Sequence, residues 1–401
     1  MRRRQLPVHS PVTPRAVCSA VLQALGLGHD PRPAMAARLA RDHAAESVTL
    51  SGSGTEALQL AIRLARRRVG NSTLALPAFT CFDVGAAAVA AQARLRLYDV
   101  DPATLTPDLG SLERLLKSGV RAVVVTPLYG LPVDWDAMTA LLDRHGAFAI
   151  EDAAQGHGAM WRGQPLGRLG VMSVLSFGRG KGWTGGSGGA LLLRGGGAGC
   201  VRPNAPVATR TRFGELNVLH RIAAQWALGR PAVYALPAAL PWLKLSETVY
   251  RDAPPPRAMT RTASACIEAS RQVAEREAVA RRENGRAILG ALASASQLGV
   301  VQPVPNATPG FLRFPVRLAR GLRGFASAAE ALRLGVVASY PSTLATVPQV
   351  RACMDSLDDR WPGGDELSRT LFTAPTHSLL TVEERNELIQ LLLSYRASSG
   401  A

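Results

Sequence analysis

Lys181 stands in Ser176-Phe177-Gly178-Arg179-Gly180-Lys181, between the apolar strand-like run Val171 to Leu175 and the glycine-dense stretch Gly182 to Gly189. A lysine amine that loses its proton condenses with an aldehyde to a Schiff base, whereas a guanidinium stays charged and is a poor nucleophile. The chain otherwise carries its positive charge on arginine: of 46 basic residues, three are lysines. Lys117 lies in a helix-like run and Lys244 in a proline-punctuated apolar segment, so Lys181 is the candidate covalent anchor and catalytic residue.

Two other segments carry groups that such a lysine would need. Ser53-Gly54-Thr55 opens a helix-like run, and the free N–H groups and dipole of a helix start favour a phosphate, with the Thr55 hydroxyl as a further donor. An ordinary N-cap by Ser53 or Thr55 is the alternative there. Ala147-Phe148-Ala149-Ile150 runs into Glu151-Asp152-Ala153-Ala154-Gln155, and a carboxylate at a strand's carboxyl end can hold a protonated ring nitrogen. The alternative is an acidic helix cap. Ser176, just before Lys181, can donate to the same phosphate. A phosphate nest, a ring-nitrogen carboxylate and a Schiff-base lysine are together the requirements of pyridoxal phosphate, a combination more specific than any of its parts. No metal-ligand pattern accompanies them.

These groups need a scaffold that brings strand ends together. Residues 73 to 126 alternate strand and helix: Thr73 to Leu76, Val84 to Ala91, Leu95 to Tyr98, Asp108 to Lys117 and Ala122 to Thr126. Trp135 to His145 then reads as helix, and Ala147 to Ile150 and Val171 to Phe177 as strands. Such alternation implies an α/β fold with a mostly parallel sheet covered by helices on both faces, in which ligands gather at the carboxyl ends of the strands. Helical periodicity at Pro14 to Leu27, Met35 to Ala45 and Thr55 to Arg68 precedes and opens this region, and a long helical run from Thr262 to Leu292 follows it. The C-terminal part combines a strand at Phe311 to Val316 with helices at Gly324 to Leu334, Glu366 to Leu371 and Thr381 to Tyr395. The expected organisation is a lead-in over 1–45, a large α/β domain over 46–250, and a smaller α+β domain over 251–401.

A formal net charge of +16 raises nucleic acid, an anionic membrane or phosphorylated ligands as partners. The arginines are scattered and aromatic residues make up 5% of the chain, which argues against a nucleic-acid surface. Five widely spaced cysteines without a CxxC pair suggest neither a disulfide framework nor a zinc site. Met1-Arg2-Arg3-Arg4 is not followed by the apolar core of a signal peptide, so a reducing cytoplasm is the expected compartment. Residues 222–245 are mostly apolar, but Arg230, Pro231, Pro237 and Pro241 interrupt them, which is incompatible with one unbroken spanning helix. They read as a buried or dimer-packing insert, or as an interfacial lipid contact with Trp226, Tyr234 and Trp242 at headgroup depth.

Several segments together are similar to the DegT/DnrJ/EryC1/StrS group of fold type I aminotransferases, the sugar aminotransferases. Ser51-Gly52-Ser53-Gly54-Thr55-Glu56-Ala57-Leu58 resembles that family's SGT-x-AL segment, and Leu76-Pro77-Ala78-Phe79-Thr80 its P-x-[FY]-T segment. Tyr98 to Asp101, Pro127 to Pro132, Glu151 to Gln155, and Ser176-Phe177 with Lys181 match further family elements, as do Tyr340-Pro341 and Ala374 to His377. The resemblance implies a fold type I pyridoxal-phosphate enzyme with Lys181 as Schiff-base lysine and proton carrier. It also implies Asp152 against the pyridinium nitrogen, Gln155 at the ring hydroxyl, and Gly54, Thr55 and Ser176 around the phosphate.

Where the family usually places a ring-stacking aromatic, this chain has Cys81, with Phe82 next. Phe82 is expected to stack on the ring, with Cys81 lying against it as the alternative. Pro254 to Met259 keeps an arginine and a methionine of the family's partner-subunit loop but lacks its asparagine. Arg179 and His157 are candidates for substrate contact, against surface and helix-packing roles. The implied reaction moves an amino group from an amino acid, expected to be glutamate, to a carbonyl acceptor, expected to be a nucleotide-linked keto sugar, in a homodimer. Acyl transfer or decarboxylation on the same fold, or a regulatory protein that binds the cofactor without turnover, are the alternatives.

Overall fold

Ala122-Val123-Val124-Val125 is apolar at every position, as a strand covered on both faces must be, and all four residues are buried. In the computed structural model, which describes residues 4–70, 72–195, 212–231, 233, 248–356 and 360–397, this segment lies inside a seven-stranded sheet. In chain order the first nine strands are β1 (Ser47–Ser51), β2 (Leu74–Pro77), β3 (Leu95–Tyr98), β4 (Ala122–Val125), β5 (Phe148–Asp152), β6 (Met160–Trp161), β7 (Gln164–Pro165), β8 (Met172–Ser176) and β9 (Gly189–Leu193). The sheet order is β1-β9-β8-β5-β4-β2-β3. The run from β8 to β3 is parallel, and β9 is antiparallel to both β8 and β1, so the expected mostly parallel α/β sheet is present.

The two-residue period of a strand divides the core between the two faces. Beyond the leading helices α1 (Pro14–Ala24) and α2 (Arg32–Asp42), Ala122, Val124, Phe148 and Ile150 join the cluster under α3 (Gly54–Arg68) and α4 (Phe82–Ala90). Val123, Val125 and Ala149 join the one under α5 (Leu109–Lys117) and α6 (Trp135–Arg144). Asp108 and Asp134 fix where the last two helices begin, accepting from Ser111 N–H and from Asp136 and Ala137 N–H, as N-caps do.

Two strands escape a reading of pattern alone. β1 is a five-residue segment between helices, and β9 opens at the end of the glycine-dense stretch, so neither shows an isolated apolar alternation. They define one another through a five-residue antiparallel register, Ser47 opposite Leu193 to Ser51 opposite Gly189. Gly189 permits the approach of the next turn: a Cβ there would lie 2.3 Å from the Ser53 carbonyl oxygen.

In the C-terminal part, β10 (Gly299–Val300), β12 (Phe314–Arg317), β14 (Leu371–Ala374) and β13 (Val337–Ala338) form an antiparallel sheet in that order, while β11 (Ala307–Thr308) pairs with β6. Phe314, Val316, Phe372 and Ala374 share a core with Leu388, Leu392 and Tyr395. The helix Arg261–Ala291 spans both cores. Ala263, Cys266 and Ile267 pack with Phe177, Ala190 and Leu192, and Ile288 packs into the C-terminal cluster. The helix expected at Glu366 to Leu371 occupies Pro362–Thr370 instead, because Pro362 sits at its first turn and Leu371 already begins β14.

Of the apolar stretch 222–245, the helix Arg212–Leu228 is described as far as its end, with Trp226 exposed and the Arg230 guanidinium 5.1 Å from its ring centre. Tyr234, Pro237, Pro241, Trp242 and Lys244 lie outside the described residues. Among the described residues no helix is long and apolar enough to cross a membrane.

His43 closes the helix Arg32–Asp42, and its carbonyl accepts from Arg194 Nε at 3.0 Å. Burial, with the charges of Arg194 and Arg168 adding to it, pulls its pKa down to about 4. A neutral buried histidine stabilises the fold above its unfolded pKa of about 6.5, and that contribution is lost as pH falls from there towards 4. Thermal unfolding should give a Tm that declines over this interval, and His43→Gln should reduce the slope. An unchanged slope in the variant would remove His43 as a cause.

Candidate active site

The carboxyl ends of β5 and β8 and the start of α3 converge on one cleft. It is lined by Thr55, Cys81, Asp152, Gln155, Ser176 and Lys181 among others, and encloses about 380 Å3 counting its open mouth.

α3 starts where Ser53 caps it, its hydroxyl accepting from Glu56 N–H at 3.1 Å. That leaves the Thr55 N–H without a protein acceptor among the described residues, at the positive end of a 15-residue helix. Ser176 closes the other side: a Cβ on Gly54 would lie 2.6 Å from Ser176 Cβ and 2.7 Å from its Oγ. Gly54 therefore lets the helix start and the serine share one cradle, with the shape and donors that a phosphate needs.

Strand alternation sends the two neighbouring carboxylates of β5 to different environments. Glu151 is fully buried and accepts from Gly167, Leu169 and Gly170 N–H and from Ser173 Oγ at 2.7 to 3.2 Å. Asp152 reaches the cleft; one oxygen accepts from Ala154 N–H at 3.1 Å, and the other has no hydrogen-bond partner among the described residues. Burial raises the Asp152 pKa, and the charge of Lys181 opposes that rise. A buried carboxylate with one free oxygen is the environment that a protonated ring nitrogen would complete.

Gln155 is held from two sides: its Oε1 accepts from Tyr129 N–H and its Nε2 donates to Tyr340 Oη, both at 2.8 Å. One Nε2 hydrogen remains to point elsewhere, as contact with a ring hydroxyl requires. Tyr129 has a positive φ of 55°, an uncommon conformation for a large side chain that recurs at functional sites. Its hydroxyl bonds to Ser339, and its ring stacks on Tyr340 with centroids 6.2 Å apart. Desolvation first of all raises both phenol pKa values, that of Tyr129 to about 12. Arg313 acts electrostatically on both tyrosines and brings positive charge to the residues that hold Gln155.

The sequence expectations meet this geometry unevenly. Gly54, Thr55, Asp152, Gln155, Ser176 and Lys181 line one cleft. Phe82 packs in the core with Leu58, Val84 and Ile150; it is the first residue of α4, and the helix turns it inward. Cys81, its cap, faces the cleft instead, with a thiol raised to about 12 by desolvation above all. Arg179 is exposed and does not line the cleft. His157 is occupied by Arg281, which donates to its Nδ1 at 3.1 Å and to its carbonyl at 3.2 Å. Pro254 to Met259 docks on its own subunit, where Arg257 N–H donates to Glu56 and its carbonyl accepts from Gly52 N–H. Tyr129 and Tyr340 figure in the sequence only within family-like segments, and their joint hold on Gln155, with Ser339 bonded to Tyr129, has no sequence signal of its own.

The open carboxylate, the Gly54 and Ser176 cradle and a lysine without a hydrogen-bond or ion-pair partner among the described residues fit pyridoxal phosphate.

Comparison with known proteins agrees. Residues 32–197 match the model of the DegT/DnrJ/EryC1/StrS aminotransferase family. An L-glutamine:2-deoxy-scyllo-inosose aminotransferase of Streptoalloteichus tenebrarius is 37% identical over 159 residues, which are 39% of this chain and 37% of that protein. A pleiotropic regulatory protein of Geobacillus stearothermophilus is 33% identical over 126 residues, 31% of this chain and 34% of its own. The chain thus spans little more than a third of the length of the curated relatives it matches. Over the whole chain the fold is shared with AtS13 from Actinomadura melliaura, at a TM-score of 0.73 and 25% identity covering 98% of this chain and 99% of that one.

Gly54→Ala should push Ser176 away from the helix start. Pyridoxal phosphate should then bind at least about tenfold more weakly, about 1.4 kcal/mol, with little change in far-UV circular dichroism. Equal affinity measured by equilibrium dialysis would show that the cradle does not hold the phosphate.

Proposed function

We propose that the chain, whose residues 32–197 match the model of the DegT/DnrJ/EryC1/StrS aminotransferase family, is a pyridoxal-phosphate aminotransferase acting on a polyhydroxylated ketone. The observation that carries this reading is the single cleft holding Lys181, Asp152, Gln155, Thr55 and Ser176. The overall exchange balances: an amino acid gives its amine and leaves as the keto acid, and the ketone leaves as an amine. When bound, pyridoxal phosphate supplies an aldehyde to carry the amine and a ring that withdraws electrons from the carbon losing its proton.

Every other part belongs to the chain. Thr55, with Gly54 beneath it, and Ser176 hold the phosphate, and Asp152 keeps a proton on the ring nitrogen. Gln155 orients the ring hydroxyl through its remaining N–H. Lys181 Nζ anchors the group, and once released it is the base that takes the donor's α-proton. Cys81 and the apolar rim of Leu58 and Val84 exclude water from one face. Arg313 and the neutral hydroxyls of Tyr129 and Tyr340 suit a substrate with a carboxylate and several hydroxyl groups.

The donor is glutamate or its amide glutamine, the latter named in the Streptoalloteichus relative. The acceptor is a keto sugar, nucleotide-linked, or a keto cyclitol such as that relative's name specifies. We place the reaction in the cytoplasm and in a homodimer. The exposed Phe213, Leu216, Trp226 and Leu228 of the helix Arg212–Leu228 support an apolar contact with the second subunit or with a membrane surface. The regulatory reading keeps one support, the Geobacillus relative's name; the presence of both Lys181 and Asp152 in the cleft speaks for turnover, and the name of the Streptoalloteichus relative favours transamination over acyl transfer or decarboxylation.

Wild-type protein given pyridoxal phosphate should develop a band at roughly 410–430 nm that amino donor discharges. Lys181→Ala should lose the band and at least about 10²-fold in turnover. A variant that keeps both would contradict the assignment, and a wild-type band that no amino donor discharges would favour the regulatory reading.

A further inference from the structure

Arg281 is the largest fully buried side chain among the described residues. It projects from the helix Arg261–Ala291, and its Nε and Nη1 have no hydrogen-bond partner among the described residues. Burying guanidinium donors without partners costs free energy, so a reason for its position must be sought in what it touches. Burial lowers its pKa to about 10, with Glu277 one turn earlier opposing the shift, and the side chain is charged at neutral pH.

Two catalytic segments meet on it. One is the loop after β5, which follows Asp152 and carries Gln155: Nη2 donates to His157 Nδ1 at 3.1 Å and to the His157 carbonyl at 3.2 Å. Burial holds His157 neutral, its pKa lowered to about 3, so Nδ1 is free to accept and the ring proton sits on Nε2. The adjacent Arg282 donates to the Gly158 carbonyl at 3.0 Å, and a Cβ on Gly158 would lie 2.6 Å from that of Ala278. The helix is therefore pressed onto this loop along one turn.

The other segment carries Lys181. Gly182 has a φ of 78°, and a Cβ on it would stand 2.2 Å from Arg281 Nη1 and 2.8 Å from Cζ. The planar guanidinium fills the space where any other residue after Lys181 would place its side chain. From the opposite side Gly182 N–H donates to Ser10 Oγ at 3.2 Å, and Val8 lies 3.1 Å from the Cβ position of Gly180. Lys181 thus stands between two glycines in the left-handed region, each backed by another part of the chain.

We propose that Arg281 is a positioning residue that holds the Lys181 loop and the loop following Asp152 at a fixed separation, so that amine and carboxylate address one bound ring. This rests on the function proposed above. Arginine suits the task because its rigid fork touches two backbones at once; lysine has neither the plane nor the second nitrogen.

The test compares wild type with Arg281→Lys, Arg281→Ala, Gly182→Ala and the Gly182→Ala/Arg281→Ala pair, on protein whose circular dichroism is native. With the phosphate cradle untouched, pyridoxal phosphate should bind Arg281→Lys within about threefold of wild type. The rate of appearance of the lysine-dependent band and kcat should fall roughly ten- to hundredfold, as expected of a small misplacement, with KM for the donor unchanged. Gly182→Ala should be more damaging alone than in the Arg281→Ala background, because the clash has been removed; that coupling survives even if every single variant is destabilised. Additive losses, or variants that form the band at the wild-type rate, would overturn the proposal alone. A wild-type protein that forms no lysine-dependent band would overturn the function and the proposal with it.

Discussion

A carboxylate leaves water only where donors or a cation replace it, and β5 ends in two. Glu151 takes four hydrogen bonds from the segment Gly167 to Ser173, and Arg194 reaches the same segment through Ser173 Oγ and the Gly170 carbonyl. This buried network fixes the loop that leads into β8, and with it the position of Ser176. Asp152, one residue on, faces the other way by the pleat of the strand and is left with an oxygen open to the cleft. The satisfied carboxylate locates the scaffold, and the unsatisfied one leaves an acceptor that the proposed ring nitrogen would fill.

The surrounding elements are arranged around that acceptor on several sides. A helix start offers N–H groups, β8 offers Ser176, and the glycine-flanked turn behind it offers Lys181. The C-terminal part reaches the site through Tyr340, which accepts from the Gln155 amide. Cofactor chemistry of this kind needs a site assembled from distant segments, and a parallel sheet supplies it because its strand ends all point to one edge.

Much of this was legible before any coordinates. Residues proposed to meet the cofactor have types dictated by its chemistry, so Lys181, Asp152 and the Gly54-Thr55 start stand out in the sequence, as does the strand and helix alternation around them. What stayed hidden depends on direction and distance. Phe82 and Cys81 are adjacent, and the winding of α4 alone decides that the cysteine faces the cleft while the phenylalanine enters the core. β1 and β9 exist because each pairs with the other. Arg281 was one arginine in an Ala/Glu/Arg-rich run, with nothing in its neighbours to separate it from solvated ones. Its partner glycine, Gly182, was visible only as part of a glycine-dense stretch.

The proposed function requires that Lys181 carry the cofactor covalently. Borohydride reduction of the protein loaded with pyridoxal phosphate, followed by peptide mapping by mass spectrometry, reads this directly. One pyridoxyl group on the peptide containing Lys181 is the expected result. A label on Lys117 or Lys244, or no label on protein that has bound the cofactor, would contradict it.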